Sequence, residues 1–125
     1  MAAGEQSVLE GISPIFSVHD VPQALAFYRD VLGFEVGWTW GDPPTYANVC
    51  RNRVEINLGL PASDEQLSPS SAYIALTRIN DYHDDIVARG VTVKVAIGDR
   101  PYGMRDFTIT DPSGNQLSFG EPNTA

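Results

Sequence analysis

The chain holds one cysteine, two histidines and eight basic residues in 125 positions, and each scarcity excludes something. A lone Cys50 cannot close an internal disulfide, and its apolar and basic neighbours suit a small, buried or half-buried thiol rather than a nucleophile. That usage fits a reducing cytoplasm. No apolar stretch approaches the ~18 residues of a membrane span. Residues Met1 to Gly11 carry acidic side chains where a signal peptide has basic ones, so a protein neither exported nor anchored is expected. Sixteen acidic residues against eight basic ones give a formal net charge of −8. Such a surface repels phosphate backbones and anionic lipid, which excludes nucleic acid and membrane as expected partners. No nucleophile elbow, phosphate-binding loop or paired-cysteine motif occurs. Asp84 and Asp85 are successive positions of a predicted helix, whose side chains point apart, so they form no acid–base couple.

What is present is an ordinary globular composition, 42% hydrophobic with two Trp, five Tyr and five Phe, in a length that suits one domain. Ile12 to Val18 reads as a strand. Asp20 then caps a helix with Pro22 in its first turn, Leu25, Tyr28 and Leu32 recur at helical spacing, and Gly33 closes it. Strands follow over Phe34 to Trp40, Thr45 to Cys50 and Val54 to Leu58. A polar stretch from Gly59 to Ser71, with Pro61, Asp64, Glu65 and Pro69, has linker composition.

After it the order starts again. Ala72 to Thr77 alternates like a strand, Asn80 or Asp81 is positioned to cap a helix carrying Tyr82 and Ile86, and Gly90 ends it before Val91 to Ile97. Phe107 to Thr110 and Gln116 to Gly120 supply the last strands around the turn Asp111-Pro112-Ser113-Gly114. In this alignment Ser13 falls opposite Tyr73, Asp20 opposite Asn80, Gly33 opposite Gly90 and Asn57 near Ser118. The expected fold is α+β: two βαβββ modules, residues 11–60 and 72–121 joined by a linker at 61–71. Neither module buries both sheet faces alone, so their sheets are expected to join into one curved mixed sheet around a cleft.

Several stretches carry a resemblance to a known family. They are Val18-His19-Asp20-Val21 running into Phe27-Tyr28-Arg29-Asp30-Val31-Leu32-Gly33-Phe34, then Tyr73-Ile74-Ala75-Leu76, and Gly103-Met104-Arg105-Asp106-Phe107 with Asp111-Pro112-Ser113-Gly114-Asn115. From about Gly11 to Glu121 the chain resembles the glyoxalase, bleomycin resistance and extradiol dioxygenase superfamily, the vicinal oxygen chelate proteins. Its enzymes supply metal ligands, usually His, Gln or Glu, from four cleft-facing strand positions. The resemblance puts those positions at Ser13, Asn57, Tyr73 and Ser118, none of them a good donor for such metals. A two-residue slip of the second would put Glu55 there, and one carboxylate still holds a metal poorly. His19 and His83, the only imidazoles, fall at helix or strand-to-helix positions. No metal and no cofactor is therefore expected.

Trp38, Trp40, Tyr46 and Tyr73 can give such a cleft flat aromatic surfaces, and Asp42 and Glu55 give it negative charge. Alternation makes the two tryptophans share one strand face. Planar or cationic ligands suit that mixture through stacking and cation–π contacts. Phe107 completes the candidate ligand-binding set with Ser13, Asn57 and Ser118. Acidity, weak metal positions and the run Tyr102 to Phe107 most resemble the bleomycin resistance branch. That resemblance implies a homodimer with clefts at the subunit interface, holding basic, planar glycopeptide antibiotics without chemistry. The alternatives are a metal-dependent lyase, isomerase or dioxygenase of the same fold with an unorthodox site, and a binding module for an unrelated small molecule.

Overall fold

In the computed structural model, which describes residues 6–63 and 66–123, the two halves have the same order of elements. The first comprises β1 (Ile15–Ser17), α1 (Val21–Asp30), β2 (Glu35–Trp40), β3 (Tyr46–Arg51) and β4 (Val54–Gly59). The second comprises β5 (Ser71–Ala75), α2 (Ile79–Ala88), β6 (Thr92–Asp99), β7 (Met104–Thr110) and β8 (Gln116–Pro122). The polar connection between them has no strand of its own among the described residues, and its Asp64 and Glu65 lie outside them, as do Met1 to Glu5.

Local chemistry explains most element ends. Asp20, in extended backbone, accepts a hydrogen bond from the Gln23 amide at 2.8 Å, capping α1 as the sequence indicates. Gly33 and Gly90 follow the two helices at φ +76 and +92, where a side chain is disfavoured. The second helix departs from expectation: it begins at Ile79, so Asn80 and Asp81 lie inside its first turn rather than capping it. Its cap residue, Arg78, is left-handed and makes no side-chain capping bond. The Glu121 carboxylate, arriving from β8, accepts the amides of Arg78 at 3.2 Å and Ile79 at 3.1 Å. A residue over forty positions away performs a job expected of a neighbour, which no local pattern reveals.

The strands form two separate four-stranded sheets, ordered β1-β4-β3-β2 and β5-β8-β7-β6, rather than one continuous ladder. In each, the first strand pairs in parallel with the fourth and the other pairings are antiparallel. One face of each sheet packs on a helix. Phe16, Ala47, Val49, Ile56 and Leu58 meet Val21, Ala24, Leu25 and Tyr28 of α1, while Phe107, Ile109, Leu117 and Phe119 meet Ile79 and Ile86 of α2. The Val, Leu, Ile and Phe side chains among these each contribute about 1.5–3 kcal/mol on burial.

Polar contacts tie the halves together. The turn after β7 closes with Gly114 donating to the Asp111 carbonyl at 3.0 Å. The fully buried Asn115 then uses its amide nitrogen on the Ser17 carbonyl at 2.9 Å and the Asp111 carboxylate at 3.0 Å, while its oxygen takes the Ser70 amide at 2.8 Å. Tyr28 of α1 donates to the same carboxylate at 2.9 Å, and burial beside it pushes the phenol well above its usual ionisation range. Tyr82 of α2 donates to the Leu32 carbonyl at 2.8 Å. The Asp-Pro-Ser-Gly-Asn run is thus a clasp between modules.

Candidate functional site

The face of each sheet turned away from its helix carries the candidate side chains. In the first sheet one register row runs Ile15, Asn57, Asn48, Trp38 across β1, β4, β3 and β2. A bulge puts Trp38 there. Val36 pairs with the core residue Val49, and plain alternation would turn Trp38 toward that same helix side. The irregularity between Val36 and Trp38 adds one residue and carries both tryptophans to the open face. That residue is Gly37, where any Cβ would collide with the Asn48 side-chain oxygen.

Asn48, only 4% exposed, donates to the Asn57 side-chain oxygen at 2.9 Å, so this floor is polar and uncharged. The next row is Gly59, Tyr46, Trp40, and Gly59 leaves room for the Tyr46 ring, which lies 5.3 Å from that of Trp38. Trp38 and Trp40 stay 44% and 70% exposed. Glu55 stands on the same face opposite Cys50 and is exposed. Asp42 lies beyond Trp40 in the exposed turn leading to β3. Ser13 precedes β1, and the residue that faces Asn57 in the register is Ile15.

The second sheet repeats the arrangement. Its row runs Tyr73, Ser118, Thr108, Val95, with the Ser118 and Thr108 hydroxyls 2.7 Å apart. Ile15 is therefore the counterpart of Tyr73, two residues on from Ser13, and the offset follows from α2 starting at Ile79. Beside this row Asp106, 6% exposed, accepts from Tyr73 at 3.0 Å, Tyr102 at 2.5 Å and the Arg100 Nε at 2.7 Å. Burial and the hydrogen bond to Asp106 push the Tyr73 phenol up to about 12. Phe107 belongs elsewhere. Alternation along β7 sends Asp106 and Thr108 to the open face and Phe107 to the other, where it is fully buried, stacked on Phe119 and touched edge-on by His83.

These positions do not fit a divalent metal. Asn57, Tyr73 and Ser118 offer an amide, a phenol held by a carboxylate and a hydroxyl, and Ile15 offers nothing. Among the described residues no group of three or more His, Cys, Asp or Glu is placed to hold a metal. His83 packs on Phe107, and His19 is engaged with the Ser113 hydroxyl at 2.7 Å, off both open faces. A second copy of the chain would bring only the same side chains.

A cavity of about 830 Å³ lies apart from all ten candidate residues, on the helix side, with Phe34, Ile74, Leu76 and Phe119 among its apolar lining. Its charges are largely engaged: Arg78 with Asp81 at 2.6 Å, Asp85 with Arg89 at 3.3 Å, and Arg51 with the Leu32 carbonyl and over the Tyr82 ring. It is a seam between modules.

Sequence reasoning missed Asn48, Arg100, Tyr102, Asp106 and Thr108. Asn48 carried a signal, a lone amide between Ala47 and Val49 in an apolar strand. The others depend on which strands become neighbours.

The model of the Glyoxalase/Bleomycin resistance protein/Dioxygenase superfamily matches residues 12–119. The chain belongs to that superfamily. The bleomycin-binding protein of Streptomyces verticillus, solved with copper(II)-bleomycin, is 28% identical at a TM-score of 0.75, over 91% of this chain and 97% of that one. A superfamily member from Sphaerobacter thermophilus is 30% identical at a TM-score of 0.72, over 90% and 98%. Metallothiol transferase FosB of Lysinibacillus sphaericus is 29% identical over 109 residues, 84% of this chain and 77% of the relative. Superfamily membership thus spans binding proteins and enzymes, and the side chains on the open faces must decide between them.

Proposed function

We propose that this chain is a bleomycin-resistance-like binding protein that sequesters a cationic or planar, antibiotic-type small molecule without chemistry, as a cytoplasmic homodimer with clefts at the subunit interface. One observation carries this reading: where the superfamily's enzymes place ligating side chains, this chain has two uncharged, hydrogen-bonded pairs, Asn48 with Asn57 and Thr108 with Ser118, flanked by exposed aromatic rings. Such a floor holds a ligand and offers nothing to polarise it. Glu55, Asp42 and the net charge of −8 favour a cation, and each ring over a cationic group contributes about 0.5–2 kcal/mol. Ile15, Trp38, Tyr73 and Val95 leave apolar surface on these faces that a second copy would cover.

Titrating bleomycin against micromolar protein while following Trp fluorescence is expected to give saturable quenching that weakens with salt, with the drug recovered unchanged. Trp38→Ala and Trp40→Ala then apportion the signal. No response at micromolar protein and drug removes the reading. The similarity to FosB favours the alternative, a metal-dependent enzyme of this fold. Stoichiometric zinc or manganese that survives dialysis and is lost in Glu55→Gln or Asn57→Ala would replace the binding reading with that one.

A further inference from the structure

The second sheet's open face contains a cluster that the first lacks. Tyr73 stands on the edge strand β5, yet its hydroxyl reaches Asp106 on β7, with β8 between them. Gly120 on β8 makes this crossing feasible, because a Cβ there would run into the Tyr73 hydroxyl and ring edge. The ring consequently lies along the sheet. Tyr102 reaches the same carboxylate oxygen from the turn between β6 and β7. Arg100 binds the other oxygen and holds the Ala96 and Asp106 carbonyls at 2.6 and 3.0 Å, which fixes the guanidinium and cancels the carboxylate's charge. Both phenols have spent their donors on Asp106, while Tyr73 and Tyr102 remain 51% and 66% exposed. Across the chain, the face bearing Trp38 and Trp40 keeps Glu55 unpaired among the described residues.

We propose that Asp106 is a positioning residue, pinning the Tyr73 and Tyr102 rings as a neutral stacking platform for a planar heteroaromatic group whose cationic part faces the acidic tryptophan surface. This rests on the small-molecule reading above and assigns the two open faces different tasks. Rings anchored at the hydroxyl need no ordering when the ligand arrives, which is where pre-organised sites gain affinity.

Two measurements separate the platform from the binding reading. The first needs no ligand: alkaline titration of phenolate absorbance in the free protein. In Asp106→Asn the Tyr73 and Tyr102 phenols should ionise at lower pH than in the wild type, since the carboxylate that disfavours their anions is gone. An unchanged titration overturns the pinning. The second uses proflavine, a planar heteroaromatic cation, read by its fluorescence. Both Asp106→Asn and the Tyr73→Phe, Tyr102→Phe double variant, which keeps the rings and the carboxylate, should bind it about three- to tenfold more weakly, the value of one aromatic stack. Double-variant affinity equal to wild type overturns the platform, and so does wild-type protein that does not bind proflavine. The bleomycin result judges the binding reading by itself.

Discussion

Asn115→Ala removes the three side-chain hydrogen bonds through which a fully buried residue joins β1, the residue before β5 and the turn after β7. A typical net contribution is about 1 kcal/mol per bond, and about 1.5–3 kcal/mol where one partner is charged, as Asp111 is. The expected loss is therefore about 3–5 kcal/mol, a large share of the roughly 5–15 kcal/mol that holds a domain folded. For a chain between the size classes usually surveyed, about 3–5 °C accompanies each kcal/mol, so the melting midpoint should fall by about 10–25 °C. Circular dichroism at neutral pH measures it directly. Asn115→Asp is the sharper control, because it keeps an acceptor for the Ser70 amide and sets a second carboxylate against Asp111. It should be at least as destabilising at neutral pH and recover partly in acid, as one of the two carboxyls takes a proton. A loss below about 1 kcal/mol in Asn115→Ala would refute the view of this turn as the clasp between modules.

Phe107→Ala should cost about 3–5 kcal/mol in urea unfolding, because the ring fills the core between Phe119 and His83, whereas Trp38→Ala on the open face should change stability by less than about 1 kcal/mol. Burial pushes the Asp106 carboxyl up, but the hydrogen bonds from Arg100, Tyr102 and Tyr73 outweigh it and hold it below the usual carboxylate range. Its contribution to stability is therefore present above the unfolded value of about 3.9 and lost as pH falls through the lower folded one. Asp106→Asn should flatten the acid limb of a stability profile below about pH 4, and above about pH 10 its stability should fall less steeply than the wild type's, because the Tyr73 and Tyr102 phenols lose the carboxylate that disfavours their anions.

The fold was legible because its signals are local. Asp20, Pro22, Gly33 and Gly90 punctuate the helices where the structure ends them, and the second module repeats the first in order of elements. The start of α2 escapes local reading because its cap is Glu121, supplied through tertiary packing. The same two-residue offset separates Ser13, the counterpart of Tyr73 by local pattern, from Ile15, its counterpart in the register. Phe107 turns to the core rather than the open face for a related reason: a strand's alternation says which residues share a face, and neighbouring strands decide which face is buried. Trp38 and Trp40 were correctly expected on one face, but the bulge at Gly37 that turns them outward needed the partner strand to be seen. The Asp106 cluster draws on β5, on β7 and on the turn before β7, so its pieces look unrelated when read along the chain.

The open rows are also the part of this molecule freest to change. The side chains of Asn57, Trp38, Tyr73 and Ser118 stand on the opposite sheet faces from Phe16, Leu58, Phe107 and Leu117, which carry the core. A lineage can therefore exchange them, trying amide, hydroxyl, ring or ligating group, at the cost of a hydrogen bond such as Asn48–Asn57 or Tyr73–Asp106 rather than of the core beneath. Where most proteins must reconcile recognition with folding at the same residues, this architecture separates the two by the thickness of a single sheet, and its history of ligands can be long while its backbone stays the same.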